Sequence, residues 1–364
     1  MSLSGTSTDH ASLSATRSGR EDSSLVLTPT QPKVENLAVA HGNMMYCVAY
    51  TRGDLQWFES NGNPRFGLEA SHATTILFMT WSNDDRYLAV LDTSRRLMIY
   101  QVSPDQLVVT RLASTICSST VIQLLFSEDG SSLLIISEQS ISSWLFQNLS
   151  QPGMEIFVGG PAQWLWHPRN KSYLLGITAA AVHIINGDCL QPVAVLNIAM
   201  KEGSDSQSAG LDSGGDRIVD VFVPDDGGYL IVQTIGAFGS RISLLQLSVD
   251  DLKPPTQQGS QDVYARRFSS SVTERIARPL GFVQLANLAS PLTATLSNAF
   301  AFVDYDGWVC SISVEILREH FFLPQDWLDS ESLNIACLTR TGTLLIPKDG
   351  NIALIMNGFR TAMP

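Results

Sequence analysis

Six histidines, five cysteines and a surplus of carboxylates are the side chains of this 364-residue chain that could do acid–base, metal or nucleophilic chemistry. The histidines are His10, His41, His72, His167, His183 and His320. None forms a His-x-His or His-x3-His pair beside a carboxylate, so their spacing gives no metal site. The cysteines Cys47, Cys117, Cys189, Cys310 and Cys337 are odd in number and far apart, which suits neither a disulfide framework nor zinc. Each lies among apolar or small residues and is expected to be a buried thiol in a reducing compartment. No Gly-x-Ser-x-Gly elbow occurs, and no Ser, His and Asp are placed as a triad. Asp84, Asp129, Asp225 and Asp306 each stand beside Asp or Gly, where a short carboxylate bonds its own turn. No catalytic, cofactor-binding or metal-ligating residue is therefore assigned, and the expectation is a protein that is not an enzyme.

Two other features point to recognition. Arg266-Arg267-Phe268-Ser269 is a pattern that basophilic kinases accept, so Ser269 is a candidate phosphosite, with Arg266, Arg267 and Arg275 to receive the phosphate. Between Phe321 and Trp327, three aromatics surround one proline; Phe321 and Trp327 are the candidate partner contacts if exposed, and core residues if not.

The elements that would position these residues are strands. Apolar runs are short, rich in Val, Ile, Leu and aromatics, and punctuated by Gly, Asp, Asn, Ser and Pro, with no helical period of useful length. One phrase repeats. An apolar run ends at Trp81, a turn follows at Asn83-Asp84-Asp85, Tyr87 to Leu91 makes a second strand, and Leu97 to Tyr100 a third. The same phrase returns from Phe126 to Trp144, from Trp166 to Ile185 and from Phe222 to Leu245. Weaker copies run from Val39 to Phe58, through Asp304-Tyr305-Asp306-Gly307-Trp308, and from Leu328 to Pro347 with Thr341-Gly342-Thr343 as second turn. Outer strands are expected at Leu107 to Leu112 and Val193 to Ile198. Seven units of about 40 residues, with four strands each, predict an all-β chain folded as a β-propeller of seven four-stranded blades. It should occupy residues 25–359, after a disordered Ser/Thr-rich tail over 1–24, with long loop insertions at 201–216 and 253–278. Ser24 to Thr28, or Ile352 to Met356, is expected to supply the outermost strand of the last blade.

The second unit resembles a WD repeat. His72 stands nine residues before Trp81, Asn83-Asp84-Asp85 looks like the Pro-Asp-Gly turn, and Tyr100-Gln101 takes the place of Trp-Asp. Gln101 replaces the aspartate, so packing must do the work of that family's buried hydrogen-bond network. The stretch from Phe321-Phe322-Leu323-Pro324-Gln325-Asp326-Trp327-Leu328 through Arg340-Thr341-Gly342-Thr343 to Gly350 and Ala353 resembles the end of fungal proteins that join a NACHT ATPase to degenerate WD-like repeats. Such proteins resemble innate receptors and include vegetative-incompatibility regulators. The resemblance implies a sensor or ligand-reading module, with a nucleotide-binding ATPase among its partners, because this chain has no Gly-Lys dipeptide and so no Walker-type loop.

Composition bounds the partners. Lys plus Arg is 23 against 35 Asp plus Glu, a net charge of −12, which disfavours nucleic acid and anionic membranes and favours basic partners. The uncharged stretch from Pro279 to Val303 holds prolines, amides and hydroxyls and is expected to be two buried strands rather than a membrane span. With no signal-peptide pattern at the start, the expectation is a cytoplasmic, monomeric interaction scaffold binding a protein or peptide on its loop face. The alternative is a propeller enzyme or small-molecule binder acting at the central channel.

Overall fold

The computed structural model describes residues 32–359 apart from 43–44, 68–73, 104–107, 147–152, 159, 161, 201–216, 237–241, 255–261, 287–295, 314–315, 340 and 357. These residues form 27 strands, arranged as seven consecutive antiparallel meanders. Blade 1 comprises Val34–Val39, Met45–Tyr50, Leu55–Glu59 and Pro64–Gly67. Blade 2 comprises Ile76–Trp81, Tyr87–Asp92, Arg96–Ser103 and Val108–Ile116, and blade 3 comprises Val121–Phe126, Ser132–Ser137, Ser140–Leu145 and Met154–Phe157. Blade 4 follows with Gln163–Trp166, Tyr173–Ile177, Ala181–Asn186 and Pro192–Met200, and blade 5 with Arg217–Phe222, Tyr229–Ile235, Ile242–Ser248 and Asp262–Arg267. Blade 6 holds Ile276–Ala286, Leu296–Asp304, Trp308–Ser313 and Ile316–Phe322. Blade 7 holds Cys337–Leu338, Leu344–Lys348 and Asn351–Ile355.

Blades form where β-branched and aromatic residues alternate with turn formers, but a twisted four-stranded sheet is stable only when both of its faces are covered. The apolar packing shows how they are covered. Seven clusters of buried side chains each lie between one blade and the next. Met45, Cys47 and Trp57 of blade 1 meet Leu88, Val90 and Tyr100 of blade 2. At the far end Leu345 of blade 7 packs with Val34, Tyr46 and Val48 of blade 1, which closes the ring.

The expected strands of blades 1 to 5 begin within a residue or two of their places, including the outer strands of blades 2 and 4, and some run up to four residues further. Pro279 to Val303 is the antiparallel pair Ile276–Ala286 and Leu296–Asp304, and no helix of the described residues is long and apolar enough to cross a membrane. Three expectations need correction. In blade 7, Thr341-Gly342 joins the first two strands, not the second and third, because the run after Leu328 folds as a short helix, Ser330–Ile335. Asp329 starts that helix by accepting a 2.8 Å hydrogen bond from the Ser332 backbone N–H. Asn351–Ile355 is accordingly the third strand of its blade, while Ser24 to Thr28, the tail and the 201–216 insertion lie outside the described residues. The 253–278 stretch is no simple loop. It contains the outer strand Asp262–Arg267, which pairs antiparallel with blade 5 and parallel with Asn197 to Met200 of blade 4. The two blades thereby share one eight-stranded sheet.

Candidate functional site

Because every blade runs from the channel outward as a meander, all turns between first and second strands fall on one face, here called lower. Turns between second and third strands, and the connections between blades, fall on the other, upper face.

The lower face is tied to itself. Asp85 accepts 2.6 Å hydrogen bonds from the backbone N–H groups of both His41 and Gly42, joining blades 1 and 2. The Asn83 amide donates to Glu128 at 2.8 Å, and Lys171 reaches the same carboxylate at 3.3 Å. Arg169 pairs with Asp250 at 2.8 Å, and Gln284 donates to Asp225 at 3.0 Å. Polar side chains thus bridge five successive blade junctions. In the turns of blades 2, 3 and 4 a side chain just after the inner strand caps the backbone. Ser82 accepts from Tyr87 N–H and Ser127 from Ser132 N–H, both at 2.9 Å. His167 does this work in blade 4: its Nδ1 accepts from the Arg169 and Asn170 N–H groups at 3.2 and 3.0 Å. Burial pushes the His167 pKa down, which keeps the ring neutral and able to accept.

The channel is also stapled. Inner strands of blades 1, 2, 3, 5 and 6 each contain a one-residue bulge near their start, with Glu35, Leu77, Ile122, Val219 and Ala277 as the extra residues. The residue after the bulge is polar in four of the five. Asn36 donates to the Leu77 carbonyl at 2.9 Å. Gln123 makes a two-point contact with Trp164, donating to its carbonyl at 2.7 Å and accepting from its N–H at 3.0 Å. Arg278 donates to the Asn334 carbonyl at 3.0 Å. Asp220, facing Arg278, has its pKa raised by burial in spite of that cation. Asn36, Gln123 and Arg278 are therefore spent on joining blades, and among the described residues no three metal-ligating side chains gather.

The upper face is different at blade 6. Tyr305, Trp308 and Phe322 are all exposed, at 69%, 37% and 48%. They share one rim because Leu296–Asp304 and Trp308–Ser313 are joined by the tight turn Tyr305-Asp306-Gly307, and Trp308 pairs across the sheet with Phe322. The Trp308 and Phe322 rings stack edge to face at 5.7 Å. Asp304 organises the turn by accepting from the backbone N–H groups of Asp306 (3.1 Å) and Trp308 (2.8 Å). Gly307 is needed there: its φ is +90°, and a Cβ would stand 3.2 Å from the Leu323 carbonyl oxygen and 3.3 Å from the Phe322 ring. Arg275 pairs with Asp304 (2.9 Å) and Glu319 (2.8 Å) beneath this rim, and its carbonyl accepts from Tyr305 N–H.

Of the two candidate contacts from sequence, Phe321 takes the core alternative and Trp327 lies half in it. Phe321 is 6% exposed and packs edge to face on Phe359 in the core between blades 6 and 7, so it is no surface anchor. Trp327, in the single 3-10 turn Gln325–Trp327, is half-buried against the same core. A bulge in the pairing of the last two strands, where Val309 opposes Phe321 but Cys310 opposes Glu319, reverses the alternation and turns Phe322 outward. Ser269 is exposed and precedes the one-turn helix Ser270–Thr273 on the upper face. Its motif is not free, however. Arg266 and Arg267 are paired within the sheet, Phe268 is packed in the core between blades 5 and 6, and Arg275 is already held by two carboxylates. A kinase would have to strip this strand from blade 5 to read it. His183 points away from its buried neighbours Val182 and Ile184 and lines an apolar groove of about 130 Å³ between blades 3 and 4, with Phe157 and Val195. Cys47, Cys117 and Cys310 are buried free thiols, with Cys310 pushed up to about 12 chiefly by burial, but Cys189 is exposed, against expectation.

No family model and no curated protein matches this chain. Solved structures do. The β-propeller domain of Cps50 (Swd1) from Myceliophteria thermophila is 12% identical, with a TM-score of 0.58, over 89% of this chain and 96% of that one. A chain of the Mitotic Checkpoint Complex is 14% identical, with a TM-score of 0.53, over 96% and 99%. At such identity the likeness shows the fold, a β-propeller, and nothing finer.

Proposed function

We propose that this chain is a non-enzymatic interaction module that binds a protein or peptide on its upper face through the blade 6 rim. One observation carries the reading: polar side chains of the lower face and channel bridge successive blades, whereas Tyr305, Trp308 and Phe322 stand exposed on the blade 6 rim beside a turn held by Asp304. Large aromatics held in place lose little entropy on binding and dominate the energetics of interfaces. The similar structures, a propeller domain and a chain of a complex, agree with such a role. The resemblance to NACHT-linked repeats makes a nucleotide-binding ATPase the first partner to look for.

The test is affinity purification of the full chain, tagged at its C-terminus, beside a Tyr305→Ala/Phe322→Ser variant with an unchanged melting temperature. The expected result is a stoichiometric partner on the unsubstituted chain that is missing from the variant. The same partner in equal amount on both would place binding elsewhere.

A further inference from the structure

We infer that the blade 6 rim takes a basic segment, seating one lysine or arginine side chain against Trp308 and Tyr305 with its charge beside the Asp306 carboxylate. This rests on the upper-face reading above and names the ligand class for it.

Charge accounting on this rim leaves one carboxylate over. Arg275 is held by Asp304 and Glu319, and Lys348 by Asp326 at 3.4 Å and Asp349 at 3.6 Å. Asp306 is exposed at the tip of the turn and has no ion pair among the described residues. It stands in sequence between two exposed aromatics. An incoming apolar side chain would cover Asp306 and strip its water without return, which is costly for a carboxylate. A cation instead gains from both neighbours, because the faces of aromatic rings attract positive charge at centroid distances within about 6 Å. The turn needs no ordering on binding, since Asp304 and the φ of +90° at Gly307 already hold it. The net charge of −12 adds long-range attraction for a basic partner.

The full chain is panned against a phage-displayed library of random dodecapeptides, and enriched peptides are synthesised with a fluorophore for anisotropy at low and high salt. Every enriched family should carry a Lys or Arg whose replacement by norleucine or citrulline weakens binding about tenfold. Trp308→Leu, which keeps an apolar group but removes the ring face, should weaken it about tenfold, and Trp308→Tyr far less. Asp306→Asn should cost about threefold and flatten the salt dependence. Thermal melting of each variant controls for folding. Enriched peptides that lack a cation yet still need Tyr305 and Trp308 would overturn the basic-segment inference and leave the upper-face reading standing. Peptides indifferent to all three rings would overturn both, and a library yielding no binder overturns the inference.

Discussion

Gln123 is the side chain on which the stapled channel can be tested most directly. Its amide makes two hydrogen bonds, at 2.7 and 3.0 Å, to the backbone of Trp164 across the junction of blades 3 and 4. Gln123→Leu puts a shorter apolar side chain in its place and removes both bonds, leaving an N–H and a C=O on the inner edge of blade 4. A net bond is worth about 1 kcal/mol, so the pair should be worth about 2 kcal/mol. Unfolding entropy near 2.1 cal/mol/K per residue, over the compact unit Pro32–Pro364, comes to about 0.7 kcal/mol/K. The melting temperature should then fall by about 3 °C in calorimetry, with a matching drop in urea midpoint. The same reasoning ranks its neighbours. Asn36→Ala loses one 2.9 Å bond across blades 1 and 2 and should cost about half as much. Gln163→Leu, with a single contact at 3.5 Å, should cost almost nothing. A Gln123→Leu protein that melts with the unsubstituted chain, or a Gln163→Leu protein that suffers more, would refute the idea that these amides hold the blades together.

Asp85→Ala should cost about 2 kcal/mol, because it removes two bonds from a carboxylate to the backbone of blade 1, measured by the same melts. Asp85→Asn should cost less than half of that, since Asn keeps an acceptor and tolerates the φ of +57° at this position. Acid should weaken the fold from near neutrality. The depressed pKa of His167 means that its contribution is complete above the ordinary value of 6.5 and is lost as pH falls through the lowered folded value. His183 and His320 are shifted the same way by burial, so a His167→Ser chain should be less stable at pH 8 yet lose stability less steeply with acid; an unchanged slope in pH-dependent urea melts counts against the histidine cap. Phe321 and Phe322 should behave as opposites. Phe321→Ala should destabilise by about 3–5 kcal/mol, whereas Phe322→Ala should leave stability nearly unchanged and weaken partner binding. Equal effects of the two on stability would contradict the register.

The repeat was legible because a blade is a local object. Its period-two alternation and its Asp, Asn and Gly turns lie within about 40 residues, and each strand pairs mostly with the next one in sequence, so the inner three strands of blades 1 to 5 could be placed from spacing alone. Blade 7 was misregistered because a short helix capped by Asp329 took the place that a strand holds elsewhere, and an apolar run of that length does not distinguish the two.

The site was half legible. Asp304-Tyr305-Asp306-Gly307-Trp308 is recognisable in sequence as a turn, and turn tips are exposed. That Phe322 joins it while Phe321 is buried follows from a single bulge opposite Val309 and Cys310, which no alternation pattern reveals. The staples Gln123, Arg278 and Asp85 lie far beyond local reach as well, since each bonds a residue more than 40 positions away. Sequence alone determined the repeat, the strand class and the acidic balance, because these depend on local patterning and on counting charges. Only the closed ring decided which face is tied shut and which aromatics are left outside, because both depend on what the neighbouring blade brings against each side chain.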